Sequence, residues 1–352
     1  MTYEQAKTLL EEKGQAHLLK YYDELSKESQ EKLLNAIAEL NWSFEEDLKN
    51  PEDMTGKDRD IHPIKGLHQA EIQARKAEFE KIGVQAIKEG KVAAVLLAGG
   101  MGTRLGVDGP KGAYDIGITK PLYIFEQQMK NILDVVAKVG VYVPLYIMTS
   151  DKNHDATTSF WAEHNYFGYP AELVKFFKQD MAPAVDYDGK IILETKGMPA
   201  MSPNGNGGWF ASMKRAGLVE DLHEKGVEWL NIYAVDNVLQ RIADPVFVGA
   251  TIATGVNCGA KSISKTNPYE KVGVLCMDGD KPDIIEYYEL TDEMANAKDE
   301  KGDLAFCYGV IMNYLFRLSK LEETVNRKIP VHIVEKKIEC LCEDGVTRKP
   351  EK

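Results

Sequence analysis

Residues 91–115 read KVAAVLLAGGMGTRLGVDGPKGAYD, and the rest of the chain is organised around them. Val92 to Ala98 is an apolar run with the length of a buried parallel strand. Gly99, Gly100 and Gly102 follow, then Thr103 and Arg104, and Pro110 and Lys111 close the segment. Glycine reaches positive φ and lets the backbone approach a ligand with no Cβ in the way. Successive N–H groups in such a turn can form an anion-binding nest. Arg104 and Lys111 add cations at a separation that a nucleoside triphosphate can span. In open α/β sheets, ligands bind beyond the carboxyl ends of the strands, where this loop lies.

Two common phosphate loops do not fit. The P-loop needs Lys-Ser/Thr directly after its last glycine, and here Gly102 is followed by Thr-Arg-Leu-Gly. The dinucleotide fingerprint G-x-G-x-x-G, started on Gly100 and Gly102, would place its third glycine on Leu105. The next glycine, Gly106, comes one place too late.

The chain has 352 residues, room for one large domain and a smaller one. Hydrophobic residues make up 44%, enough for a packed core. A net charge of −12 argues against a general nucleic-acid binder. It leaves room for a local basic cluster at a nucleotide site. No apolar run approaches the ~20 residues that span a bilayer, and MTYEQAKTLLEEKG lacks a signal peptide's apolar core. None of the five cysteines is in C-x-x-C spacing, which suits reduced thiols in a cytoplasm. A cytoplasmic protein is expected, with no nucleic-acid or membrane partner, and the sequence sets no oligomeric state.

Helical spacing runs through Leu9 to Leu25 and Leu33 to Leu40, with a helix start at Ser29, and again from about His68 to Lys88. Asn50 to Gly66, with Pro51 and Pro63, reads as a loop. From Lys91 on, strands alternate with helices. Val141–Thr149, Glu172–Phe177 and Leu230–Val235 read as strands; Ser150–Phe167 and Gly207–Lys225 read as helices. The β-α-β order implies a mainly parallel sheet. Lys271–Met277 and Asp283–Glu289 read as an antiparallel pair. Phe306–Met312 and His332–Cys340 read as later strands.

LLAGGMGTRLG followed by PKGAYDIG resembles the signature loop of UDP-sugar pyrophosphorylases, most closely their N-acetylglucosamine branch. GQAHLLKYYDELSKESQEKLL is similar to the helical N-terminal region of that branch in eukaryotes. The resemblance implies an α/β fold with a Rossmann-like, GT-A-like nucleotidyltransferase sheet. It implies a helical region over 1–90 and a catalytic domain over 91–330. Family chains continue well beyond the K-P that Lys349-Pro350 matches, so 331–352 is expected to be the start of a truncated C-terminal segment. The implied reaction joins UTP to a sugar 1-phosphate, giving a UDP-sugar and pyrophosphate.

Further matches carry the implied site. Ala98, Gly99, Gly100, Gly102 and Thr103 would bind the nucleotide, with Arg104 and Lys111 as the catalytic cations on its phosphates. Ile147-Met148-Thr149-Ser150 resembles the family's I-M-T-S, and Ser150 could also cap the following helix. Phe177-Lys178-Gln179 to Pro183-Ala184 resembles F-x-Q-x-x-x-P-A; the Gln179 amide, donor and acceptor at once, suits the uracil edge. Pro203-Asn204-Gly205-Asn206-Gly207-Gly208 resembles P-D-G-N-G-G, implying that Gly205 abuts the uracil and that Asn206 and Gly207 contact the sugar. This N-G-G leans towards an N-acetylated sugar. Val235-Asp236-Asn237 resembles V-D-N, whose Asp binds Mg²⁺, and an Asp at a strand's carboxyl end is well placed for that. Glu286 matches a residue that accepts from sugar hydroxyls. Val310 stands where the family has a sugar-contacting Asn, and Asn313 matches the second Asn of that motif.

The expected function is therefore transfer of a uridylyl group from UTP to N-acetylglucosamine 1-phosphate. Glucose or galactose 1-phosphate is the alternative substrate, and a non-catalytic nucleotide-sugar binder the alternative class. A glycosyltransferase would usually carry D-x-D near the metal, and Val235-Asp236-Asn237 lacks it. In-line displacement at the α-phosphorus needs no covalent intermediate or general base, so none of the seven histidines is assigned a role.

Overall fold

Val92–Leu97 is buried along its whole length and pairs with a parallel strand on each side. It is the second of nine strands in one sheet: β1 (Ile61–Pro63), β2 (Val92–Leu97), β3 (Leu145–Thr149), β4 (Val174–Lys178), β5 (Trp229–Ala234), β6 (Cys258–Ser264), β7 (Val274–Asp278), β8 (Lys281–Ile285) and β9 (Tyr308–Arg317). The computed structural model describes residues 1–42, 59–203, 205–325, 335, 337–342 and 345–348, the side chain of Arg104 excepted.

The strand order is β1-β7-β9-β5-β2-β3-β4, with β6 also on β9 and β8 also on β7. Strands β5, β2, β3 and β4 are parallel to one another, as a βαβ reading requires. The five strands beyond β5 pair antiparallel, so the sheet is mixed, with a parallel core. The reason is local: β7 and β8 are joined by only Gly279-Asp280, and a tight turn allows only antiparallel pairing.

Alternation along β2 sends Val92, Ala94 and Leu96 to one face and Ala93, Val95 and Leu97 to the other. The first face is covered by helices Lys76–Lys88, Ile124–Val139 and Pro245–Ala253. The second is covered by Trp209–Arg215, Leu218–Glu224 and the start of Leu318–Thr324. Both faces of the strand are thus apolar, and its text carries no polar alternation. Helices Lys76–Lys88 and Pro245–Ala253 touch backbone to backbone. A Cβ on Gly83 would stand 1.8 Å from Pro245 O, and one on Gly249 would stand 1.7 Å from Phe79 O.

The chain divides into two compact units. One gathers Met1–Met54, Asp180–Gly205 and Lys328–Lys352; the other holds Thr55–Gln179 and Asn206–Arg327. In the first unit, Leu10, Leu18, Leu33 and Ile37 pack with Ile191 and Leu193. Buried Gln15 binds the middle segment there: it donates to Gly189 O and accepts from Ile191 N, both at 2.9 Å.

Several local readings are corrected. The second helix starts after Ser26, whose side chain accepts from Ser29 N, so Ser29 lies inside the first turn. Leu18 and Leu25 fall in or beside short 3₁₀ turns that follow Gly14 at φ +65°. The helix expected over 68–88 is two, broken at Arg75, and the one over 207–225 is two, separated by Gly217 at φ +70°. Part of the expected loop is strand β1, and its Pro63 is tolerated because β1 is an edge strand. The helix expected to reach Phe167 stops at Glu163, because Asn165, Tyr166 and Phe167 all take positive φ. Residues 43–58, Asn204, and 332–334 and 336 of the expected strand lie outside the described residues; of the rest of that stretch only Cys340 is in a strand, the short Cys340–Leu341.

Asp221 ties helix Leu218–Glu224 to the sheet. It accepts from Tyr146 Oη of β3 at 2.6 Å, Lys175 Nζ of β4 at 2.7 Å, and Lys225 Nζ. Burial alone would raise its pKa; the hydrogen bonds from Lys175, Lys225 and Tyr146 outweigh that and hold it down at about 2. The folded value lies below the ordinary 3.8, so this stabilisation is present above about pH 4 and is lost as pH falls towards 2. Asp221→Asn should lower Tm at neutral pH, yet lose less additional stability than the wild type between about pH 4 and pH 2. Parallel acid profiles for the two proteins, in thermal melts across that range, would contradict the assignment.

Candidate active site

The parallel register brings four strand ends to one edge. Leu97 of β2 stands opposite Met148 of β3 and Ala234 of β5, and Thr149 of β3 stands opposite Lys178 of β4. The chain just beyond these ends is the Gly99 turn, Ser150 to Asn153, Gln179 and Asp236.

Ala98 is buried and anchors the turn, its N–H donating to Met148 O at 2.8 Å. Gly99 lies against Gln179: a Cβ at position 99 would stand 2.4 Å from Gln179 Nε2. Gln179 is 7% exposed, and its own N–H donates to Thr149 O at 2.8 Å. The glutamine and the glycine turn, eighty residues apart, are therefore one local structure. Gly102 plays another part. Its N–H donates to Gly109 O at 2.8 Å and its carbonyl accepts from Leu105 and Val107 N–H, so it shapes the turn. Thr103 and Arg104 open a 3₁₀ turn; the Arg104 side chain lies outside what is described. Among the described residues, none accepts from the N–H groups of Gly99, Gly100 or Met101.

Lys111 returns to this turn through its N–H, which donates to Gly100 O at 3.2 Å. Its side chain is 22% exposed, and its ammonium donates to Asp236 Oδ1 at 2.5 Å. Asp236 follows β5, and its carboxylate is 66% exposed. The two charges read separately from the sequence thus form one pair.

Asp236 also lines a cleft of about 380 Å³ with Asn206, Gly273, Glu286, Val310 and Tyr314. Glu286 leans on Gly273, where a Cβ would stand 3.3 Å from Oε2. Asn206 and Gly207 lie in the 3₁₀ turn that leads into helix Trp209–Arg215. Gly205, at φ +80°, ends the middle segment of the other unit. Asn313 is not a lining residue. It is fully buried, its Oδ1 accepts from Asn231 Nδ2 at 2.8 Å, and its Nδ2 has no acceptor among the described residues.

Three features escaped the sequence reading. Met312, also in the cleft lining, takes φ +50° within β9, beside a register shift opposite Ala260 and Ser262. Such strain in a non-glycine residue collects at functional sites, and nothing in C-Y-G-V-I-M-N-Y marks it. Tyr314, two residues on and beside the same register shift, also lines the cleft. Asn153 is the residue that precedes helix His154–Glu163, so Ser150 does not cap that helix. Its side chain instead donates to Ala98 O at 2.9 Å and Gly100 O at 3.2 Å. No spacing rule picks out that asparagine.

A strand-edge glycine turn, a paired lysine and aspartate, and a cleft that the aspartate also lines thus stand at one edge of the sheet. The family model for UTP–glucose-1-phosphate uridylyltransferase matches residues 43–347, and the chain belongs to that family. Human UDP-N-acetylhexosamine pyrophosphorylase-like protein 1 is 35% identical, over 97% of this chain and 72% of the relative. UDP-N-acetylglucosamine pyrophosphorylase of Saccharomyces cerevisiae is 35% identical, over 97% and 76%. The solved uridine diphosphate N-acetylglucosamine pyrophosphorylase of Trypanosoma brucei, in complex with an inhibitor, matches with a TM-score of 0.79 at 29% identity. That match covers 93% of this chain and 69% of the other.

Gly99→Ala should drive its methyl into the Gln179 amide. Overpacking of this kind costs ~1–3 kcal/mol, and because the clash lies at the site it should weaken UTP binding by about tenfold. Titration calorimetry checks this; unchanged UTP affinity would separate Gly99 and Gln179 from the nucleotide.

Proposed function

We infer that this protein is a uridylyltransferase joining UTP and N-acetylglucosamine 1-phosphate into UDP-N-acetylglucosamine, with release of pyrophosphate. The observation that carries the reading is the Lys111–Asp236 pair. Lys111 is bonded to the glycine turn, and Asp236 lines the cleft with Asn206 and Glu286. A triphosphate on the turn and a sugar phosphate in the cleft would meet at that pair. The shared names and identity of the yeast and trypanosome relatives support the same reaction.

The parallel core is read as a Rossmann-like, GT-A-like nucleotidyltransferase sheet within the 91–330 catalytic region. The Gly99 turn would take the triphosphate on its open N–H groups, and Gln179 would bind the uracil edge through its amide. Arg104 and Lys111 would offset the repulsion between two anions and stabilise charge on the α-phosphoryl oxygens. Asn206, Gly207 and Glu286 would hold the sugar in line for attack. No proton needs to be removed from the attacking phosphate, so no general base is assigned.

Mg²⁺ is the proposed cofactor, and its fit rests on the donor set. Among the described residues no group of three or more His, Cys, Asp or Glu could hold a metal. Mg²⁺ commonly takes one or two protein carboxylates and completes its shell with phosphate oxygens and water. Asp236, exposed at a strand end, fits that role. When bound, the ion would neutralise charge on the phosphates. UTP and the sugar phosphate are the proposed partners. All five cysteines are free, which supports a cytoplasmic location, and no described helix is long and apolar enough to cross a membrane.

Lys111→Ala should cost ~2–4 kcal/mol of transition-state stabilisation, the cost of losing one preorganised donor. Pyrophosphate release from UTP, N-acetylglucosamine 1-phosphate and Mg²⁺ measures it, and a near-wild-type kcat would remove the phosphate role.

One observation favours a broader sugar range: Val310 lines the cleft and cannot hydrogen-bond a hydroxyl or an acetamido group. The missing bond is worth ~1 kcal/mol net. The glycine turn at 205–208 still favours N-acetylglucosamine 1-phosphate, which should be accepted with poorer discrimination against glucose and galactose 1-phosphates. Val310→Asn should sharpen the preference by about fivefold, from that same ~1 kcal/mol. Comparison of kcat/KM for the three sugars in both proteins decides it. A wild type that uses glucose 1-phosphate well and ignores the N-acetylated sugar would turn the reading to the glucose branch.

A further inference from the structure

Asn153 is 1% exposed, and both of its amide atoms are fully engaged. Its Oδ1 accepts from Ser150 N at 2.8 Å and from Ser150 Oγ at 3.1 Å. Its Nδ2 donates to Ala98 O and to Gly100 O. One buried side chain thus joins the end of β3 to the turn that leaves β2. It stands where a helix N-cap would stand, yet it makes no capping bond to helix His154–Glu163.

The direction of these bonds matters. In a planar trans peptide, the carbonyl of one residue and the N–H of the next lie on opposite edges. Ala98 O faces Asn153, so Gly99 N–H faces away from it. Gly100 O faces Asn153, so Met101 N–H faces away as well. These two N–H groups, with that of Gly100, are the ones without an acceptor among the described residues. Backbone donors arranged like this suit an anion.

We propose that Asn153 is a positioning residue for phosphate binding, holding the 98–99 and 100–101 peptide planes so that their N–H groups present to the triphosphate. The proposal rests on the reading of the Gly99 turn as the triphosphate site. Aspartate could still accept from Ser150 but has no N–H for the two carbonyls, and its charge would repel them. Alanine would leave all four partners without the bond. A side chain that only held the fold together would affect every ligand of the site alike. A side chain that orients phosphate-facing N–H groups affects the phosphates and spares the base.

The test uses the full chain with Mg²⁺. Affinity for UTP is measured by calorimetry and for uridine by displacement of UTP, in the wild type and in Asn153→Asp, Asn153→Ala and Ser150→Ala. Both Asn153 variants should lose about tenfold or more of UTP affinity, while uridine affinity changes by less than about twofold. Ser150→Ala, which removes only the hydroxyl bond, should follow the wild type. Equal losses for UTP and uridine, or wild-type UTP affinity in Asn153→Asp, would overturn the proposal and leave the triphosphate reading intact. A wild type that binds UTP no more tightly than uridine would overturn the triphosphate reading, and the proposal with it.

Discussion

Four parallel strands end along one edge, and everything at the site hangs on that register. Hydrogen bonding sets Leu97 opposite both Met148 and Ala234, so the segments leaving β2, β3 and β5 start level. β4 brings Gln179 to the same line through Thr149. A slip of one residue in any of these pairings would reverse the faces of its strand. Both faces of β2 are apolar, so what resists such a slip is the close fit of Val92, Ala94 and Leu96 on one side and of Ala93, Val95 and Leu97 on the other against different helices. The core therefore holds the site's geometry as well as the fold.

The glycines act at two scales. Gly83 and Gly249 let two helices touch through their backbones, which settles how closely those helices approach each other. At the edge, Gly99 makes room for the Gln179 amide. In both places the missing side chain allows an approach that a methyl group would block. Gly102, by contrast, has its N–H committed to Gly109 and acts through the turn it forms.

The antiparallel strands serve another purpose. They bring Glu286 and the distorted stretch of β9 to the cleft that Asp236 also lines. The parallel core and the antiparallel extension meet between β5 and β9, and Asp236 lies two residues beyond β5. Its pairing with Lys111 joins the glycine turn to the cleft.

Much of this was legible in residue order. The unbroken apolar run of β2 and the glycine turn at its end were readable, because those features are local. The antiparallel pair and the free cysteines were readable for the same reason, although the pair read as 271–277 with 283–289 is Val274–Asp278 with Lys281–Ile285, its turn being only Gly279-Asp280. The 180–205 segment packs with the first helices, Asn313 is buried against Asn231, Met312 is strained, and Asn153 serves the glycine turn. None of these has a local signature. Each depends on a contact between residues far apart in the chain or on a distortion imposed by a neighbouring strand, and such contacts exist only once the sheet has assembled. The sequence by itself determined which chemical groups are available at the strand ends. The tertiary structure decided which of them face one another, because strand register and side-chain burial are set by the packing of the whole sheet.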